Sequence, residues 1–231
     1  MQILSILGTI QGLFFGVLLL SKKNRKITDL YLALFLFTGS VWLLYFYLQS
    51  LGEIALLPEI RFWYSGIPLL IGPFLYFYVD ALLSGTNKYF KFHSLHLIPF
   101  ILVYLLILDF PSKTLVEQQI INNATLEQLP ERYQTASVLW LFSTIIYLIW
   151  IILILFEHKQ NLREKFSFFE KVNLKWLFFV SAGFLGLIVF YTALYFLEQY
   201  SVLDTGPRPG FFFALFFAIY IFLFGFYGIQ Q

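Results

Sequence analysis

The sequence predicts an all-α protein: a polytopic membrane helix bundle of seven transmembrane helices, amino terminus outside and carboxyl terminus cytoplasmic. Three observations lead there. Sixty per cent of the 231 residues are hydrophobic and 12% are charged, with a mean hydropathy of +0.79, whereas a soluble domain carries about 25% charged residues. The apolar residues gather into seven runs, and a hydrocarbon layer about 30 Å thick takes about 20 helical residues to cross. The lysines and arginines fall mostly on alternate connections between those runs. Backbone polar groups in lipid must be satisfied within the protein, which helices achieve, and the two-residue alternation of a membrane barrel is absent.

The expected spans are 3–20, 28–51, 62–83, 95–108, 135–156, 176–196 and 211–227, together forming one domain over 1–231. The first has neither a basic leader before it nor a small-residue cleavage site before Ser21, so it reads as a retained helix. Gly8, Gly12 and Gly16 repeat along it every four residues and line one stripe, a helix-packing face that admits either the second span or another protomer. Gln11 lies beside that stripe at mid-membrane depth, where an amide needs a polar partner. Thr38, Ser40, Ser143, Thr144 and Thr192 are the candidates. The second span follows a basic turn. The third holds Gly66, Pro68, Gly72 and Pro73 within eight residues. Each proline removes an amide donor and crowds the carbonyl four residues earlier, so a kink or opening is expected there. The fourth run has only 14 residues and reads either as a short crossing or as a re-entrant piece, with six spans as the alternative count. The outer connection 111–134, which carries Glu117, Glu127 and Glu131, suits a short surface helix, and its Asn123-Ala124-Thr125 sequon reads as a chance match. The aromatic and basic stretch 162–175 before the sixth span suits a helix lying in the inner headgroup layer.

Charge gives the orientation. With the amino terminus outside, the inner connections hold Lys22, Lys23, Arg25, Lys26, Lys88, Lys91, Lys159, Arg163, Lys165, Lys171 and Lys175, and the outer ones hold Arg61, Lys113, Arg132 and Arg208. Eleven basic residues against four satisfy the positive-inside rule. Removing the fourth span would place the basic loop after Phe156 outside, which supports the count of seven. The net charge of +2 is spread over loops as a topology signal and implies no nucleic-acid surface.

No catalytic signature stands out. Without cysteine there are no disulfides, thiolate nucleophiles or cysteine metal sites, and no phosphate loop or nucleophile elbow is present. Asp80, His93 and His96 fall near the inner ends of the third and fourth spans. Two imidazoles and a carboxylate suit zinc, yet solvated interface groups or a local Asp–His hydrogen bond account for them as well. No cofactor is expected.

Several stretches resemble the amino-terminal membrane region of Bacteroidetes regulators that join a multi-helix membrane part to an AraC-type helix-turn-helix domain. They are Ile10-Gln11-Gly12-Leu13, the basic turn from Lys22 to Lys26, Ile71-Gly72-Pro73-Phe74-Leu75-Tyr76-Phe77-Tyr78, His96-Leu97-Ile98-Pro99-Phe100, Asn173-Leu174-Lys175-Trp176-Leu177 and Gly225-Phe226-Tyr227-Gly228-Ile229-Gln230-Gln231. The likeness spans nearly the whole chain. It implies a sensory domain of the bacterial cytoplasmic membrane, in contact with lipids and an unidentified small-molecule or lipid stimulus, possible as a homodimer. DNA would be reached only through a carboxyl-terminal domain that these residues lack, the chain being either a fragment or a stand-alone relative. The resemblance carries no established functional residues. Gln11, Gly66, Pro68, Gly72, Pro73, Tyr76, His96 and Pro99 are therefore candidates for ligand binding or switching. The expectation is a non-enzymatic sensor. A metal-dependent hydrolase of lipid-like substrates and a small-molecule carrier are the alternatives, although no internal repeat supports the carrier.

Overall fold

In the computed structural model, residues 2–51, 58–84, 93–124, 126–165, 175–199 and 209–230 are described. Every regular element among them is helical: α1 Gln2–Leu20, α2 Ile27–Leu51, α3 Ile60–Ser65, α4 Ile71–Ser84, α5 Ile98–Leu106, α6 Leu115–Asn123, α7 Glu131–Lys165, α8 Lys175–Gln199 and α9 Pro209–Ile229, with short 3₁₀ segments between some of them. Seven stretches are long and apolar enough to cross a membrane: Gln2–Leu20, Ile27–Leu51, Ile60–Ser84, Ser94–Ser112, Glu131–His158, Lys175–Leu194 and Phe212–Ile229.

The helix exteriors are built for lipid. On α1 the inward positions are Ser5, Gly8, Thr9, Gly12, Gly16 and Leu19, while Ile3, Leu7, Ile10, Phe14 and Val17 are 43–72% exposed as a set with Leu13. A water-soluble helix buries its large apolar residues. Here small and hydroxyl side chains face inward, because in a bilayer close packing rather than water exclusion draws helices together.

α2 lies centrally, against α1, α4 and α9; α7 bridges α4, α5 and α8, and α8 closes onto α9. The glycine stripe is filled within the chain. A Cβ at Gly8 would stand 2.6 Å from Ala218 and 2.7 Å from Leu43, one at Gly12 would overlap Ser40 Oγ, and one at Gly16 would overlap the Phe37 ring. These pairings run antiparallel with α2 and parallel with α9. Near the far end of α9, Gly225 and Gly228 give the same intimacy, to Phe15 and Leu32 respectively. The basic turn between α1 and α2 is tied down by Asp29, 6% exposed, which accepts from Lys22 Nζ at 2.7 Å and from the Lys26 amide at 2.8 Å.

The third span breaks where glycine and proline coincide. α3 stops at Ser65, Ile67–Leu70 is a 3₁₀ turn, and α4 resumes at Ile71. Pro73 then occupies the first turn of α4, where its missing N–H has no helical acceptor to lose. The Trp63 carbonyl beside the break accepts from the Tyr104 hydroxyl of α5 at 2.7 Å, a neighbouring helix supplying what the backbone gave up. The fourth span is longer than its 14-residue apolar run. A 3₁₀ turn, His93–Leu97, precedes α5 and another, Phe110–Ser112, follows it, extending the candidate crossing to Ser94–Ser112. Pro99 sits in the first turn of α5.

The outer connection holds α6, whose start is a capping box. Thr114 Oγ1 accepts from the Glu117 amide and the Glu117 carboxylate accepts from the Thr114 amide at 2.8 Å. Together with Leu69, Val103, Ile107, Phe110, Leu129 and Tyr133, Ile121 of α6 forms a second apolar cluster at this end of the bundle. α7 continues as helix to Lys165; the rest of the expected interfacial segment and Thr125 of the sequon lie outside the described residues, as do Lys88, Lys91 and Arg208 of the charge pattern.

Two glycine substitutions separate packing from helix propensity. Gly12→Ala should destabilise the bundle by about 1–3 kcal/mol through overpacking, whereas Gly186→Ala, with nothing within 4 Å of the added Cβ, should be neutral or slightly stabilising. Thermal unfolding of both variants in one detergent checks this.

Candidate functional site

A cavity of about 270 Å³ opens among α2, α3 and α7 at the end of the bundle that carries the amino terminus, beside α6. It lies beside the break in the third span, with Pro68 in its lining. Trp42, Tyr45 and Gln49 reach it from α2, Arg61 and Tyr64 from α3, Tyr133 and Trp140 from α7, Tyr191 from α8 and Asn122 from α6. Arg61 Nη1 donates to the Ile121 carbonyl at 2.9 Å and Asn122 Nδ2 to the Pro58 carbonyl at 3.1 Å, so α6 is fastened to the start of α3 over the cavity.

The polar groups of this site are unevenly matched. Trp42 is only 1% exposed, and its Nε1–H has no acceptor in hydrogen-bond geometry, although the Tyr64 hydroxyl is a neighbour. Asn122 Oδ1 is also buried without a donor. Among the described residues no carboxylate lines the cavity. The nearby Asp109 is engaged elsewhere: it pairs with Lys113 at 3.0 Å and Arg132 at 2.5 Å and accepts from the Tyr133 hydroxyl at 2.9 Å.

On the other side of one aromatic wall lies a second, almost wholly apolar space of about 540 Å³, bordered by Val41, Leu44, Leu48, Phe62, Ile67 and Phe100 among others. The wall is the Tyr45–Tyr64 pair, stacked with centroids 3.6 Å apart and planes 8° from parallel. Both tyrosines border both spaces.

Toward the opposite end, several residues singled out from the sequence converge. A Cβ at Gly72 would lie 2.7 Å from the Tyr147 ring, so the absent side chain lets α7 approach α4. The Tyr147 hydroxyl is 2.6 Å from His96 Nδ1. Tyr76 stacks on Trp150 at 4.7 Å and lies 5.2 Å from the His96 ring. Asp80 is half-buried on the next turn of α4. The His93 side chain lies outside the described residues, and among those described no group of three His, Cys, Asp or Glu is placed to hold a metal.

The remaining candidates separate. Pro68 borders the polar cavity, and Gly66 lets Tyr104 and Phe100 of α5 close on the break, where a Cβ would overlap Tyr104. Gln11 is half-buried with no hydrogen bond recorded to any described residue, for Thr38, Ser40 and Thr192 donate to carbonyls of their own helices and Thr144 Oγ1 is buried without a partner. Sequence reasoning missed Arg61, Trp42, Tyr45, Tyr64 and Asn122. Arg61 carried one available signal, an arginine heading an apolar span, but it counts equally as a loop charge. No known protein family, curated protein or solved structure matches the chain.

The α6 capping box has a pH dependence of definite sign. Hydrogen bonds from the Thr114 amide and hydroxyl hold the Glu117 carboxyl below the ordinary glutamate range. A depressed folded pKa stabilises above the unfolded value and loses that contribution as pH falls through the folded one. Corrected hydrogen-exchange protection in the first turn of α6 should therefore fall on acidification below the glutamate range; Thr114→Ala, which keeps the amide donor but loses the hydroxyl, should weaken that dependence, and Glu117→Gln should abolish it.

Proposed function

We propose that this chain is a sensory domain of the bacterial cytoplasmic membrane, amino terminus outside, that takes in an envelope or lipid-phase cue at the cavity end and passes a helix displacement to a cytoplasmic output. The observation that carries this reading is aromatic packing of α9 against the cavity residue Trp42 at one end and against Phe35 and Trp176 at the other. Trp42 lies 4.6 Å from Phe213 and 5.0 Å from Phe217. Phe213 and Phe217 stack at 5.4 Å. Further down α9, Phe224 meets Phe35 at 4.9 Å and Trp176 at 6.2 Å, and Trp176 stacks on Tyr227 at 5.1 Å. A change at the cavity floor thus presses directly on the last helix.

Close-packed interiors shift between discrete arrangements rather than deform smoothly, and a stimulus acts only through unequal affinity for two such arrangements. The broken third span supplies a joint at the cavity wall, and α9 supplies the transmitting rod. The resemblance to AraC-type regulators supports a DNA-binding domain as the output partner. A homodimer would pair through lipid-facing surfaces of the bundle, since α2 and α9 already occupy the glycine stripe of α1.

The absence of cysteine permits clean paired labelling. Spin labels at Lys23→Cys and Phe226→Cys, both exposed positions, in vesicles of varied acyl-chain length and osmotic tension should report two distance populations whose ratio changes with the condition. Trp42→Ala should weaken that response. One invariant population, together with concentrative solute uptake by the vesicles, would favour a carrier and defeat the sensory reading.

A further inference from the structure

The two spaces divided by the Tyr45–Tyr64 pair differ in chemistry in a way that specifies an occupant. The polar one contains a guanidinium, and an arginine in surroundings of low dielectric is costly unless an anion or several acceptors meet it. Of its five N–H donors, the Ile121 carbonyl accepts one from Nη1, and no described carboxylate forms an ion pair with it. The buried Trp42 N–H, which has the Tyr64 hydroxyl as a neighbour but no acceptor in hydrogen-bond geometry, borders the same space. Asp109, which would be the nearby internal counter-ion, is taken by Lys113, Arg132 and Tyr133. Both donors border one cavity whose described lining holds no carboxylate, and Asn122 Oδ1 there is buried without a donor among the described residues. Across the tyrosine wall the larger space presents carbon almost exclusively.

We propose that this pair of spaces binds a single-chain carboxylate amphiphile of the long-chain fatty acid class. Its carboxylate meets Arg61 and the Trp42 N–H, its first methylenes cross the edge of the Tyr45–Tyr64 stack, and its chain lies in the groove of Val41, Leu44, Phe62 and Phe100. One cation that has no ion pair among the described residues matches one negative charge, and one groove matches one chain. A two-chain phospholipid would bring a larger headgroup under α6 and a second chain with no groove to fill. As the cue of the proposed sensor this ligand rests on that reading; as a bound molecule it is tested separately.

The test uses the full chain in nanodiscs of zwitterionic phosphatidylcholine, titrated with 9,10-dibromostearate, whose bromines quench tryptophan on contact. Trp42 and Trp140 border the polar cavity and Trp63 the apolar groove. Saturable quenching, displaced by palmitate but not by butyrate, is expected. The corresponding dibrominated alcohol should bind about tenfold more weakly, as should the acid to Arg61→Gln, the loss of one charge-assisted hydrogen-bonding group. Helicity and the thermal midpoint show whether Arg61→Gln folds; should it not, the acid-against-alcohol comparison in the unaltered chain decides alone. Equal, non-saturating quenching by acid and alcohol would mean bilayer partition only and overturn the proposal, as would preferential quenching by brominated phosphatidylglycerol, which would assign the site to a phospholipid. Saturable binding with no change in the Lys23–Phe226 label distance would uphold the site and remove the sensory role.

Discussion

The architecture depends on how closely α1 approaches α2 and α9. In lipid, moving an apolar side chain from the helix exterior to an interface gains little from solvent, so dispersion contacts at short range must hold helices together. Gly8, Gly12 and Gly16 remove the atoms that would keep the helices apart, and Leu43, Ser40, Phe37, Ala218 and Ile221 fill the space. Thr9 Oγ1 adds a contact to the Ser40 carbonyl at 3.4 Å while donating to its own helix at Ser5. With α1 seated, α2 becomes central and α9 is held parallel to α1, which brings Phe213 and Phe217 against Trp42.

A second constraint, backbone satisfaction, shapes the region around the cavity. Proline and glycine interrupt the third span, and the interruption is tolerated because α5 offers the Tyr104 hydroxyl to Trp63 and packs its rings where Gly66 has no side chain. Two groupings flank the break. Above it Tyr64 stacks on Tyr45 and Arg61 bonds to the Ile121 carbonyl of α6, while below it Gly72 admits Tyr147 and Tyr76 meets His96 and Trp150. Both polar constellations thus lie along a single span, one on each side of its discontinuity.

The polar end also shows how charge is distributed when water is near on one side only. Asp109 collects two cations and a tyrosine hydroxyl at the bundle rim, where screening limits each pair to a modest contribution. Arg61, at the start of α3, forms no ion pair among the described residues and is fixed instead by the Ile121 carbonyl.

Composition and periodicity alone determined that the chain is helical, that seven of its stretches are long and apolar enough to cross a membrane, that α1 has a small-residue face and that the third such stretch is interrupted between Gly66 and Pro73. These properties are local, since each follows from residues within one helix and from the nature of the solvent around it. The short fourth run was harder to read because 3₁₀ turns at His93–Leu97 and Phe110–Ser112 lengthen it with residues of mixed polarity. Tertiary structure decided which surfaces meet the glycine stripe, that Gln11 finds none of its expected partners, and that Trp42, Arg61, Asn122, Trp140 and Tyr191 border one cavity. Those residues come from α2, α3, α6, α7 and α8, separated by tens of positions. Their convergence is a property of helix crossing and offset, which hydropathy does not encode, because a lipid-facing and a cavity-facing aromatic look alike until the neighbouring helix is in place.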